Sequence, residues 1–526
     1  MEGRLERPLS RRSLGAAALL VGVVACGLLL RSGELQIVKG GAYAVQAREN
    51  QLAEKIIFAD RGLVLDRQGR KLAWNDRAGA LDDFPRRMYA EVRGLAHAVG
   101  YVKPPVKDSS GFYFRDSFVG VDGAERVFDA DLAGTGGLKL TETNARGEVV
   151  SEAVVRPPAP GATITLSVDA QVNQALYDAI AGRVTQANFQ GGAGVVMDVR
   201  TGELLALTSF PEYSSSVMTD GEREAIAAYN SARQSPFLNR AVDGLYAPGS
   251  IVKPVMAAAA LAEGVIDEHK EILSEGQISV PNPYDPSRPT IFKDWRVNGW
   301  TDMREAIAVS SDVYFYAVGG GYQGQPGLGI QRIDKYLQMF GFGADAGLAG
   351  FSSKAGSIPT PEWKAATFPE DPLWRIGNTY HTSIGQYGTT VTPLQAARMT
   401  AAVANGGVLL TPTLLASSSP QGSAIAIDPY ALQVAREGMR LGVTSGIATA
   451  VNVPYVAVAA KTGTAQVGAR NEYQNAWMIG FWPFENPRFA YAVVLERAPA
   501  GTTVGGSAVM RDFFTWLNEH APEYLQ

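Results

Sequence analysis

Residues 14–30 are apolar or small without interruption, seventeen positions closed by Arg31. A run of that length sits at the short end of what crosses a bilayer as a helix. Arg4, Arg7, Arg11 and Arg12 precede it, so the amino terminus is expected on the cytoplasmic side and the rest of the chain beyond the membrane. This one feature decides where everything after residue 31 must fold. Two other kinds of processing share that consequence. A cleaved leader wants a small-x-small site, which Arg31-Ser-Gly-Glu34 does not clearly offer. A lipoprotein leader would use Val23-Val-Ala-Cys26, but the apolar run continues past it through Leu28, Leu29 and Leu30. The expectation is an uncleaved anchor over residues 14–31 behind a cytoplasmic tail over 1–13.

The exported part has to fold without disulfides, because Cys26 is the only cysteine. His97, His269, His381 and His520 are scattered, with no H-E-x-x-H and no close pair. Neither a metal nor a His-based triad is expected, and no cofactor. A net charge of −5 gives no reason to expect nucleic acid as a partner. With 46% hydrophobic and 19% charged residues over 526 positions, the chain has the make-up of a folded protein of two or three domains.

Residues 32–160 read as a strand-rich pedestal. Asp60-Arg-Gly62-Leu-Val-Leu-Asp66, the turn at Arg67-Gln-Gly69 and then Leu72-Ala73 suggest a hairpin. Gly94-Leu-Ala-His97-Ala-Val-Gly100-Tyr101 suggests a short amphipathic helix with a structural His97. Arg156-Pro-Pro-Ala-Pro160 marks a boundary. The domain at 161–526 opens with a strand at 163–166, a helix at 169–180 and strands at 193–197 and 203–207. It closes with strands at 456–460, 475–480 and 489–494 and a helix at 508–517. Strands at both ends with helices between them predict one antiparallel sheet, first and last strands side by side, helices on both faces. The fold class is α+β.

Three stretches carry chemistry. Tyr246-Ala-Pro-Gly-Ser250-Ile-Val-Lys253-Pro-Val255 places a Ser and a Lys three apart at the head of an Ala-rich helix. Residues so spaced share a helix face, and a neutral amine can activate the hydroxyl as a nucleophile. Of all the lysines, only Lys253 has a Ser three before it. Pro254 lacks an N–H, so the Ser250 carbonyl is expected to lose its partner. The plainer alternative is an ordinary helix start. Next, Ala306-Ile-Ala-Val-Ser310-Ser311-Asp312-Val-Tyr-Phe-Tyr316 sets polar groups in an apolar helical run. Either they cap or bend a helix, or Ser310 relays a proton while Asp312 holds Lys253 or a substrate amide. Last, Lys461-Thr462-Gly463-Thr464 lies on a strand suited to an extended peptide ending in a carboxylate. Gly463 would leave room for the peptide, Lys461 and Thr462 or Thr464 would hold the carboxylate, and a second cation would lower the pKa of Lys253. The alternative is an exposed strand with a stray Lys.

S-x-x-K, S-x-D and K-T-G in this order resemble the signature of penicillin-binding proteins and serine β-lactamases. Asp60-Arg-Gly62 and Gly120-Val-Asp-Gly123-Ala-Glu125 in the pedestal, behind an anchor, are similar to the class B, monofunctional penicillin-binding proteins. Phe292-Lys-Asp-Trp295 and Gly377-Asn-Thr379 resemble the elongation-type member more than the septal type. So do Ser383-Ile-Gly385-Gln386 and Val391-Thr-Pro393-Leu-Gln395. The resemblance implies a peptidoglycan D,D-transpeptidase. Ser250 would be its nucleophile, Lys253 its base, Ser310 its proton relay, and Asp312 and Lys461 supporting catalytic groups. Thr462, Gly463 and Thr464 would bind substrate. It implies stem peptides ending in D-Ala-D-Ala and β-lactams as ligands, with a SEDS-type membrane glycan polymerase as partner. The family's Gly-Gln-Gly reads Gly385-Gln-Tyr387-Gly388 here. The 293–300 loop, where some relatives carry zinc, has neither Cys nor His. A D,D-carboxypeptidase, a β-lactam sensor and a non-catalytic scaffold would share much of this pattern.

Overall fold

The structure, a computed structural model, describes residues 10–49, 52–77, 83–109, 112–144, 149–282, 285 and 287–526. Arg4 and Arg7, with most of the expected cytoplasmic tail, lie outside the described residues. The chain divides into two compact units, one of residues 1–59 and 135–159, the other of 60–134 and 160–526. The pedestal read at 32–160 is therefore shared between them.

In the smaller unit, the helix Arg11–Gly33 is capped by Ser10, and none of its side chains is buried. With the turn that follows it forms a 28-residue stretch, Arg11–Val38, long and apolar enough to cross a membrane. Strands Leu52–Ile57 and Val149–Arg156 both pair antiparallel with Gly137–Thr143 between them.

In the larger unit, the hairpin forms as the turn signal suggests, Val64 opposite Ala73. The expected amphipathic helix near residue 97 is a single turn, Ala96–Val99, buried on all sides. His97 Nε2 lies 3.1 Å from the Pro236 carbonyl, a structural contact. The two pedestal motifs meet: Glu125 accepts from Arg61 Nε at 2.6 Å and from Arg87 Nε at 2.7 Å, all three side chains fully buried. Buried charges persist only when paired and hydrogen-bonded in this way.

The elements that position the site are α1 (Ala170–Ala187), β1 (Gly191–Asp198), β2 (Leu204–Phe210), α2 (Lys253–Ala262), α3 (Met303–Val309), α4 (Asp312–Gly320), α5 (Pro429–Thr444), β3 (Ala459–Val467), β4 (Tyr473–Trp482), β5 (Phe489–Pro499) and α6 (Gly506–His520). The sheet runs β2-β1-β5-β4-β3, antiparallel throughout, with β1 and the last strand, β5, side by side; the strand expected at 163–166 is not part of it, because Ile164–Thr165 pairs parallel with Val64–Leu65 in a separate sheet. Its side chains alternate between two cores. Ala490, Ala492 and Val494 enter the core that holds α2 and α5. Tyr491, Val493 and Leu495 enter the core that holds α1 and α6. Burial on both faces explains why these strands read as continuous apolar runs. α1 extends beyond the expected residue 180 to Ala187, where Asn188 ends it in the left-handed region. The strand expected at 456–460 begins only at Ala459, because residues 454–456 form a turn ahead of it.

Candidate active site

The chain enters the site through a tight turn. Gly249 has φ +56, a conformation that costs glycine nothing. A side chain there would also meet the Thr464 carbonyl at 2.7 Å. Gly249–Val252 is a 3₁₀ turn that passes into α2. The Lys253 N–H bonds the Ser250 carbonyl within that turn. This corrects the expectation that Pro254 leaves the carbonyl unpaired: 3₁₀ pairing supplies its partner from residue 253, before the proline is reached.

The second motif is a break rather than a continuous helix. α3 ends at Val309, Ser310 turns into the left-handed region at φ 61, and Ser311 caps α4 through the Tyr314 N–H. The polar cluster both caps a helix and reaches Lys253. Lys253 Nζ donates to the Ser310 carbonyl at 2.8 Å, to Ser310 Oγ at 3.2 Å and to Asp312 Oδ1 at 2.6 Å. The break turns the residue 310 carbonyl and hydroxyl toward one amine, which a continuous helix would not do.

Lys461 approaches the same hydroxyl from β3. Its Nζ lies 2.8 Å from Ser310 Oγ and 2.8 Å from the Thr462 carbonyl. Both lysines are fully buried. Burial holds the Lys461 amine well below the usual lysine range, the Lys253 charge pushes it further down, and Asp312 opposes the shift.

β3 is the last strand of the sheet, paired on one side with β4. The sequence expects Gly463 to leave room for a peptide; Gly463 does line the cleft with Thr462 and Thr464, but the space at its α-carbon faces the protein itself. A Cβ there would meet Ile251 Cγ2 at 2.8 Å and the Pro248 carbonyl at 2.9 Å. The space is taken by the protein's own serine turn, which packs directly on the strand. Ser250, Ser310, Asp312, Thr462 and Thr464 all line one cleft of about 1480 Å³. Beside it, Gly249 donates its N–H to the Gly385 carbonyl at 2.9 Å. Tyr387, which replaces the family's glycine, adopts φ 57 with its ring edge-on to Trp363 and Trp374.

Sequence reasoning missed two groups at this site. Trp295 lines the cleft, and Asp294 beside it accepts from Ser311 Oγ at 2.9 Å. The stretch containing them stood out only as a family resemblance; no spacing rule links residue 294 to residue 311. The cleft wall formed by Thr502, Thr503 and Val504 likewise comes from tertiary folding alone.

The sequence matches the family described as penicillin binding protein transpeptidase domain over residues 192–514, and the penicillin-binding protein dimerisation domain over 80–166. The chain belongs to the penicillin-binding protein transpeptidase family. It is 31% identical over 481 residues to the peptidoglycan D,D-transpeptidase MrdA of Haemophilus influenzae, covering 83% of this chain and 70% of that protein. The crystal structure of Pseudomonas aeruginosa PBP2 in complex with WCK 5153 superposes with a TM-score of 0.73 at 30% identity, covering 90% of this chain and 100% of the other. A structure described as the structural coordination of polymerization and crosslinking by a peptidoglycan synthase complex has a TM-score of 0.74 at 26% identity, covering 95% and 97%.

Proposed function

We propose that the protein is a peptidoglycan D,D-transpeptidase that cross-links stem peptides during cell-wall elongation through a serine acyl-enzyme, and that β-lactams target it. The observation that carries this reading is the Lys253–Ser310–Lys461 chain of hydrogen bonds beside Ser250.

A proton leaving Lys253 passes through Ser310 Oγ to the Lys461 amine, which frees Lys253 to act as base. Ser250 Oγ then gives its proton to Lys253 and attacks the carbonyl between the two D-Ala residues. The Ser250 and Thr464 N–H groups form the oxyanion hole, a role favoured by the close approach of Gly249 to the Thr464 carbonyl. The C–N bond breaks, and Ser310 passes a proton to the departing D-Ala amine. The cationic Lys461 with Thr462 and Thr464 holds the substrate carboxylate, and Gly463 keeps the serine turn against the strand. Asp312 keeps the Lys253 ammonium in place. An amine of a neighbouring stem peptide then attacks the ester, forms the new amide and returns the proton to Ser250. A β-lactam acylates the same oxygen by opening its ring amide.

The protein is read as single-pass in the cytoplasmic membrane, with tail 1–13, anchor 14–31, pedestal 32–160 and an extracytoplasmic transpeptidase domain 161–526. A SEDS-type glycan polymerase is the proposed partner, supported by the likeness to a synthase complex that couples polymerization with crosslinking. The test is labelling with a fluorescent penicillin, followed by mass spectrometry of the Ser250 peptide. The expected adduct sits on Ser250 and vanishes in Ser250→Ala. A well-folded protein that takes no label would overturn the reading.

A further inference from the structure

Asp294 lies outside all three motifs, yet its carboxylate gathers more of the site's scaffold than any of them. Oδ2 accepts from Ser311 Oγ at 2.9 Å, the Val313 N–H at 3.1 Å, Ser274 Oγ at 2.9 Å and Asn298 Nδ2 at 3.1 Å. Oδ1 accepts the Trp295 N–H at 2.8 Å. Ser274 and Ser311 are fully buried. The Val313 N–H belongs to the first turn of α4, where no helix carbonyl is available to pair with it. A carboxylate at that end also meets the positive end of the helix dipole.

Residues 310–313 thus face two ways. Ser310 and Asp312 reach Lys253, while Ser311 and Val313 are held by Asp294. Ser310 occupies the left-handed region, which persists only where the surroundings over-determine it. The same carboxylate fixes Trp295, whose ring lines the cleft with the Arg296 guanidinium 4.4 Å from its centroid. Asn298, itself tied to Asp294, accepts from Arg296 Nε at 2.9 Å. The cleft wall and the helix break are one hydrogen-bonded unit with Asp294 at its centre.

We propose that Asp294 is a positioning residue for the acyl transfer. It sets the Ser310 hydroxyl and the Asp312 carboxylate against Lys253, and it locks the Trp295 wall to the same frame. This rests on the reaction proposed above. Labelling of the wild-type protein reports on that reaction, and comparing variants with it reports on Asp294. The measurement is the full time course of fluorescent-penicillin labelling at saturating probe, which separates the rate of acylation from the fraction of protein that can react.

Asp294→Ala is expected to label to full extent but roughly 100-fold more slowly, the scale on which a displacement of about 1 Å acts. Asp294→Asn keeps a carbonyl oxygen for Ser311 and Val313, so it is expected to regain most of the rate, remaining several-fold below wild type. A wild-type rate in Asp294→Ala overturns the proposal. So does a smaller reactive fraction at unchanged rate, which marks lost folding alone. If Asp294→Ala does not fold, Asp294→Asn decides: slowed labelling at full extent supports the proposal, and an unchanged rate overturns it.

Discussion

Two amines reach the hydroxyl of Ser310, one from α2 and one from β3. Lys461 is held toward its neutral form. An arginine there stays charged at any accessible pH and cannot take a proton. Lys461→Arg is expected to slow penicillin acylation by roughly two orders of magnitude while leaving the fold intact, measured by label uptake alongside circular dichroism. The depressed pKa also has a stability signature. Between its folded value and the ordinary lysine value of 10.5, the unfolded chain binds more protons at residue 461 than the folded chain. Stability from this group therefore rises with pH across that window. The melting temperature of wild type relative to Lys461→Met should climb as pH is raised from neutral toward 10, and a flat difference would show that residue 461 does not titrate this way. At Gly463 the issue is space. A methyl group between Ile251 and Pro248 would push the serine turn off its strand, at a cost of about 1–3 kcal/mol. Gly463→Ala is expected to lower both the melting point and the acylation rate.

At the scale of elements, the sheet was legible because its central strands are buried on both faces and turns are marked, as at Arg200-Thr-Gly202 and around Pro483. The site was legible as three motifs, and the structure brings Lys253, Ser310, Asp312 and Lys461 within hydrogen-bond reach. The break between α3 and α4 was legible only as one alternative, a cap or bend at the Ser-Ser-Asp cluster. Ala306–Tyr316 has the apolar content of one helix, and what splits it is a carboxylate from residue 294 and an amine from residue 253. The same holds for Glu125, whose two arginines come from separate stretches of the pedestal sequence. Glu125→Ala removes the carboxylate that both arginines share, leaving Arg61 to Asp129 and Arg87 to Asn75, and should destabilise the protein by about 3–5 kcal/mol. Replacing Arg61, Arg87 and Glu125 together with apolar residues should recover most of that loss in thermal unfolding.

For the whole molecule, the amino-terminal helix makes a prediction of its own. If it is an uncleaved anchor, Cys26→Ser should leave the protein in the membrane fraction at unchanged mass. A shift in mass or release into solution would favour lipid attachment at Cys26 instead. The sheet has a different consequence, for the order in which the protein can come into being. β5, at Phe489–Pro499, joins the hairpin of β1 and β2 to the hairpin of β4 and β3. A chain emerging from the ribosome and threading across the membrane has exposed Ser250 and Lys253 long before that strand arrives. Until then the two hairpins lack the strand between them, and β3, which carries Lys461, has only β4, α5 and the serine turn to hold it in place. A chain stopped at residue 488, which lacks the central strand, is expected to take little penicillin label. On the proposed single-pass topology, substrate and inhibitors would meet the complete site only after almost the entire polypeptide has reached the far side.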